Sequence, residues 1–319
     1  VSDLVAIAIT TLHLAAANVA VGGPFLALWL YRRAGRGGDA AADVLGRRML
    51  RGSLHAMYFA AGLGIAAAFL WYSSAEVPVA KAFRALPRSR YEFGVAEFVI
   101  SAVCYEVWLR MWRRDSQRRR TAWWVGFFGA TNVAYHFPTL FTMLSVLSTR
   151  SLPGDGTIRF VALLGDGEVL ARTTHFLLAS AAVSGAVLMA LARTDAANDQ
   201  LRYQTIGARI ALIATLLQWP VGIGVLLTLP DVSRDLLMGD DAIVAMLFGT
   251  SLAAVVGLMH ALAGPAFGVA SSREVRSALV WLGITVLLMT AVRQYARKPF
   301  YPTTPAAEVE AVARFPVFS

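Results

Sequence analysis

The sequence predicts an all-α integral membrane bundle of about eight transmembrane helices with both termini outside. Three observations predict it. First, 57% of the 319 residues are hydrophobic and 15% charged, and the mean hydropathy is +0.58. That balance lies outside the range of soluble globular chains. Second, the apolar residues form continuous runs. Each has the roughly 20 residues a helix needs to cross a ~30 Å hydrocarbon core, where a membrane barrel would show short alternating segments. Third, Lys and Arg concentrate in every second connection, which orients the bundle.

In order along the chain, the first segment, 4–31, carries His13. It lacks a basic leading region and a cleavage pattern, so it is expected to be a true helix and not a signal peptide. The second, 50–73, carries His55, and the third, 92–112, carries Glu97, Cys104 and Glu106. The fourth, 121–148, holds His136 two residues before Pro138; the fifth, 171–193, holds His175 near its start. The sixth, 206–229, contains Pro220, and the seventh, 242–269, contains Met246, His260 and Pro265. The eighth, 275–293, has no acidic residue. Residues 1–293 therefore read as one transmembrane domain, and 294–319 as an extended tail at the outer face, with three prolines soon after Lys298.

The connections after the odd-numbered segments carry most of the 29 Lys and Arg, among them Arg32, Arg33, Arg36, Arg47, Arg48, Arg113, Arg114, Arg118, Arg119 and Arg120. The positive side faces the cytoplasm, which places the chain as a multi-pass protein of the bacterial inner membrane. The net charge of +9 is a topology signal of this kind. It does not point to nucleic acid, because the arginine runs sit where helices leave the membrane. The outer connections 74–91 and 149–171 mix apolar and charged residues, a composition suited to the membrane interface or to a partner. Cys104 is the single cysteine, so no Cys-x-x-Cys-His haem attachment and no internal disulfide is expected. Phosphate-binding and dinucleotide fingerprints are missing as well.

Once the connection charges are assigned, Glu97 and Glu106 remain inside a helix. Ionisable groups at such depth are costly and tend to be functional. Nine residues apart is two and a half turns, so they point to nearly opposite faces; each is a candidate proton acceptor or relay. All five histidines (His13, His55, His136, His175 and His260) lie in predicted helices. Any one can simply bond across helices. As a set they suggest ligation of haem b, for which neutral imidazole is a standard axial ligand. At 1.5 Å per residue, His175 and Met246 each lie ~6 Å from the outer ends of their helices, a depth match that allows a pair. His13 and His136 lie at mid-to-outer depth, and His55 and His260 on the inner side.

These residues resemble subunit I of the cytochrome bd quinol oxidase family. "TTLHLAAANVAVGGPFLALWL" is similar to the family's opening helix, whose histidine binds the oxygen-reducing haem, the position of His13. "YEFGVAEFVISAVCYEVWLRMW" resembles the helix with two glutamates near the high-spin haems; Glu97 fits the first, and Glu106 is one residue off the second. "TTHFLLASAAVSGAVLMAL" is similar to the helix bearing the axial histidine of the low-spin haem b, at His175, and "AMLFGTSLAAVVGL" to the helix bearing its second ligand, at Met246. "VRQYARKPF" resembles the final periplasmic motif. The chain departs from the pattern where residues 230–241 replace a long external loop linked to quinol binding. It also has Val244 in place of a basic residue and, near Leu287, no haem-binding glutamate. His55, His136 and His260 match no family position.

The resemblance implies one to three b-type haems and electron exchange between membrane quinol or quinone and a partner at the outer face, a c-type cytochrome or an iron–sulfur protein. His175 with Met246 would hold the outer haem; by matching depth alone, His13 with His136 is a candidate for a second and His55 with His260 for a third. Two alternatives stay open. One is a terminal oxygen-reducing quinol oxidase subunit, using His13 and Glu97. The other is a haem-free transporter or membrane anchor, in which the histidines and glutamates line a proton or ion path.

Overall fold

A computed structural model describes residues 3–73, 82–112, 119–150, 160–193, 197–269 and 271–300. Among these residues the chain is helical throughout, with eight long helices: α1 (Asp3–Gly37), α2 (Ala40–Ser73), α3 (Arg88–Trp112), α4 (Arg119–Leu147), α5 (Gly167–Ala192), α6 (Ala197–Thr228), α7 (Ala242–Ala266) and α8 (Ser272–Arg297). Short helical turns occupy Phe160–Leu164, Asp231–Asp235 and Leu236–Asp240. A chain in hydrocarbon must satisfy every backbone polar group internally, and helices do this segment by segment. Prolines at Pro24, Pro138, Pro220 and Pro265 are carried inside helices, as membrane helices tolerate when neighbours supply the lost bonds.

Helix ends follow side-chain chemistry. The α1–α2 turn passes through Gly38 at φ 62°, a left-handed conformation glycine adopts without strain. Asp39 then caps α2, accepting from Ala42 N at 2.9 Å. Asp166 caps α5 by accepting from Glu168 N and Val169 N, and Asp241 caps α7 through Ile243 N and Val244 N. Ser271 and Glu274 form a capping box at the start of α8. Each cap satisfies amide donors that the first helical turn leaves open.

Consecutive helices pack as hairpins, with α1–α2 and α5–α6 the most extensive pairs, and α1 also packs on α4, α5 and α8. Small residues allow these close approaches, the usual device where lipid offers no hydrophobic drive. A Cβ at Gly185 would sit 2.7 Å from Gly207 O, and one at Gly207 would sit 2.6 Å from Gly185 O. Gly22 of α1 backs onto Ser180 of α5, whose Oγ donates to Asn18 Oδ1 at 2.9 Å. The core between α1, α2, α3 and α4 is built on Tyr31, Met49, Leu54, Tyr105 and Trp108. Trp108 stacks on Trp112 at 5.4 Å and Tyr31 meets Trp112 edge-on at 4.5 Å.

Large apolar side chains such as Ile65, Phe69, Phe128 and Ile223 face outward, a surface suited to lipid. Six helices (α1, α2, α5, α6, α7 and α8) are long and apolar enough to cross a membrane, so the chain is a multi-pass membrane protein. The two less apolar helices are α3, with Arg88, Arg90, Glu92, Glu97 and Glu106, and α4, with Asn132 and His136. The helices also run past several expected limits. α2 begins at Ala40 and α6 at Ala197, because their first turns are polar surface helix that a hydropathy window passes over. α8 continues through Arg297, beyond the expected limit of 293. Of the expected tail, residues 301–319 lie outside the described residues, as do 74–81 and 151–159 of the two outer connections.

Candidate functional site

His175 lies on α5, nine residues past the Asp166 cap. Its Nδ1 is closed to solvent and has no hydrogen-bond partner. Beside the ring stands Gly222 of α6, where a Cβ would lie 3.7 Å from His175 Cε1. The histidine thus meets bare backbone on one edge, and its Nδ1 meets no polar protein group. A buried imidazole without partners is costly, and a ligand to either nitrogen is one way to remove that cost.

Met246 sits on α7, which packs against α6. It is 72% exposed, outside the packed core. Ile223, Leu227 and Ile243 are exposed on the same two helices. Sequential packing of α5 on α6 and α6 on α7 puts His175, Gly222 and Met246 on successive helices. α5 and α7 share no extensive packing of their own; the orphaned imidazole nitrogen of His175 and the exposed thioether of Met246 are donor types that a low-spin haem b takes.

His13 on α1 is held differently. Its Nδ1 lies 2.9 Å from the carbonyl of Ala60 on α2. A carbonyl only accepts, so Nδ1 carries the proton and, in the neutral ring, Nε2 keeps its lone pair. Metal-bound histidines are commonly oriented by such a bond, and His13 therefore also fits a ligand role.

His136 on α4 stands with its Nδ1 2.6 Å from Glu97 Oε2 on α3, both side chains nearly closed to solvent (9% and 12% exposed). Phe93 and Phe137 flank the imidazole at 5.8 and 5.9 Å between ring centroids. Asn132, one turn before His136, ties the same two helices together; its Nδ2 donates to Glu97 O at 3.0 Å and Ser101 Oγ at 2.8 Å. The pair is a close, buried carboxylate–imidazole contact in which Glu97 Oε2 and His136 Nε2 each lack a hydrogen-bond partner.

The remaining candidates separate from these. Glu106 is half exposed and 4.0 Å from Arg110, one turn on, on the face away from Glu97. His55 and His260 are both exposed, on helices α2 and α7 that share no extensive packing. His13 and His136 each have their own partner, Ala60 and Glu97, in place of one another.

At the end of the bundle where α5 begins lies an ion network that sequence reasoning missed. Arg150 makes a two-point pair with Asp166 at 2.6 and 3.1 Å and reaches Glu168 at 2.8 Å. Arg172 holds the other oxygen of Glu168 at 2.5 Å. The Arg150 guanidinium holds the Asp166 carboxyl below the usual carboxylate range, and Asp166 raises Arg150 in return. The visible signal was the density of charge in "TRSLPGDGTIRF" and "GDGEVLARTTH", but the pairing across helices was not. At the opposite end Asp39 accepts from Tyr203 Oη at 2.6 Å, Arg33 Nε at 3.2 Å and Arg202 Nη1 at 3.3 Å. Burial pushes its carboxyl up, but the bonds from Tyr203, Ala42 N and Arg33 together outweigh burial and hold it below its ordinary value.

No protein-family model matches the chain, and no curated protein sequence matches it. Its fold is similar to that of a chain in the solved structure of bd oxidase from Geobacillus thermodenitrificans, with a TM-score of 0.72. The likeness covers 97% of this chain and 91% of the other at 14% sequence identity. The chain therefore has a cytochrome bd-like fold, in agreement with the resemblance of its helix motifs.

Proposed function

We propose that this chain is a haem b-carrying membrane subunit of a respiratory electron-transfer complex, exchanging electrons between membrane quinol or quinone and a partner redox protein at the outer face. The observation that carries the reading is His175, with an orphaned Nδ1, a glycine beside its ring and an exposed methionine on the next helix but one. Support comes from the bd-like fold and from the orientation of His13 by a carbonyl. His175 and Met246 would hold one haem, and His13 a second. His136 stands with Glu97 as a candidate for taking up a proton released by quinol oxidation. Bound haem b supplies reversible one-electron transfer.

All eight long helices cross the bilayer in this reading, α3 and α4 with their polar residues turned to the interior. An even number of crossings, with the positive connections in the cytoplasm, puts both termini outside, in the inner membrane of a bacterium. A c-type cytochrome or iron–sulfur protein is the class of partner that takes single electrons at that face.

The test is a dithionite-reduced minus oxidised visible spectrum of the purified protein with a pyridine haemochrome count. The expected result is b-type bands from one to three haems per chain. Folded protein without haem overturns the proposal and leaves the transporter or anchor reading. A second reading, a terminal oxygen-reducing subunit, is favoured by the fold likeness to a bd oxidase. A red-shifted chlorin band with quinol-dependent oxygen consumption would establish it.

A further inference from the structure

In the ion network at the start of α5, Arg172 lies within one turn of the proposed haem ligand and Glu168 about two turns from it. Glu168 is almost fully enclosed, its side chain 1% exposed, and is bridged by Arg150 and Arg172. Arg172 also donates to Ser145 Oγ at 3.2 Å. From α8, Arg293 reaches Ser145 Oγ at 3.4 Å and Arg297 reaches Ser148 Oγ at 2.6 Å. The network thus ties the end of α4, the first turns of α5 and the end of α8 into one block. Arg172 precedes His175 by three residues, about 4.5 Å along the helix axis and on nearly the same face. Side chains on a helix lean toward its N-terminus, so the guanidinium lies on the Glu168 side of His175.

We propose that Arg172 and Glu168 are positioning residues that set the reduction potential of the redox centre held by His175, the guanidinium raising it and the carboxylate lowering it. The inference rests on the reading that His175 holds haem b. A haem gains an electron on reduction, so a nearby positive charge favours the reduced form and a negative charge the oxidised form. Both groups are enclosed, and their fields are little screened by salt. At ~10 Å and an effective dielectric constant of about 20, one charge changes the oxidised-to-reduced ratio on the order of tenfold, or 59 mV for a one-electron couple. A network that only clamped helices would move the potential in one direction, or not at all, whichever charge was removed.

The experiment is a spectroscopic redox titration of the full-length protein in nanodiscs, following the haem b bands, with a haemochrome count as control. Arg172→Gln is expected to lower the midpoint by up to about 59 mV, Glu168→Gln to raise it, and Arg172→Lys to stay near the unaltered protein. Shifts in the same direction for the two Gln variants, or no shift with haem content intact, overturn the inference. If Arg172→Gln does not assemble, Glu168→Gln alone decides: a rise supports the inference, and a fall or no change overturns it. Absence of haem b from the unaltered protein is a separate result, which overturns the proposed function and this inference together.

Discussion

His136 and His175 are both enclosed by the bundle, and what separates them is a carboxylate. His136 receives a carboxylate at 2.6 Å and a helix–helix lock from Asn132 one turn away. His175 has no carboxylate: its Nδ1 has no partner and its neighbour on α6 is Gly222, whereas at His136 it is Nε2 that lacks a partner, beside Gly94. Desolvation of a polar ring is expensive in both places. In the first, one nitrogen stands against a carboxylate of the protein; in the second, Nδ1 meets none. On the proposed reading this difference gives proton chemistry to one histidine and ligation to the other.

The sharpest way to break this contrast is to remove each ring in turn. His175→Ala should abolish the low-spin haem b signal, since an axial imidazole has no replacement among the nearby side chains. His136→Ala should leave that signal in place. A haemochrome count on the two purified variants checks this, and equal haem loss in both would erase the distinction. Met246→Ala should keep haem but change its spectrum toward a five-coordinate form, if the thioether is the second ligand.

The next effect is on stability. Breaking a buried ion pair by removing one partner leaves an uncompensated group and typically costs about 3–5 kcal/mol, whereas replacing both with apolar side chains is near neutral. Glu97→Leu and His136→Leu should each destabilise the protein by ~3 kcal/mol, and the double variant should recover most of the loss. A double-mutant cycle by detergent-denaturant unfolding measures it. Additive losses would mean the two side chains are not coupled.

Most of the bundle was legible in the sequence because long apolar runs are hard to mistake, but the helix ends were not. The fifth segment was expected to begin at residue 171 and begins at Gly167. Hydropathy leaves Glu168 outside the segment, while the fold pairs it with Arg172 of the same helix and with Arg150. α1 runs to Gly37, not 31, because Arg32 lies over Trp123 at 3.8 Å and Arg33 over Trp29 at 5.6 Å. Basic side chains at a membrane boundary can bend this way without ending the helix. The sequence offers candidate residues for the site but not their partners. Glu97 meets His136 and His13 meets Ala60 through the rotation and register of neighbouring helices, which spacing within one helix does not specify.

A smaller effect of pH is shared by the two ends of the molecule. Asp39 has a carboxyl held below its ordinary value, because bonds from Tyr203, Ala42 and Arg33 outweigh burial. A depressed carboxylate contributes stability that is fully present above its unfolded value, about 3.9. That contribution is lost as pH falls through the lower folded value. Asp166, held down by Arg150, follows the same sign. Asp39→Asn should therefore cost roughly 1.5–3 kcal/mol at neutral pH and progressively less as the medium is acidified below about 3.9. Unfolding midpoints of the two proteins across pH 2 to 7 would converge at the acid end; parallel curves would show that the charge on Asp39 does not carry the clamp.

The smallest expected effect belongs to the histidines that the fold leaves outside. His55 and His260 are exposed, on helices without extensive mutual packing, and neither has the enclosed surroundings that separate His136 and His175 from the solvent-facing residues. Exposed substitutions away from special features change stability by no more than about 0.5 kcal/mol. His55→Ala and His260→Ala should leave both stability and the haem spectrum unchanged, singly and together. Loss of one haem in the double variant would show that a cofactor bridges α2 and α7 across the surface, and would extend ligation from the enclosed histidines to the exposed ones. An unchanged spectrum would confine the haem chemistry to the enclosed histidines, whose surroundings differ: a carbonyl at His13 Nδ1, a carboxylate at His136 Nδ1 and no partner at His175 Nδ1.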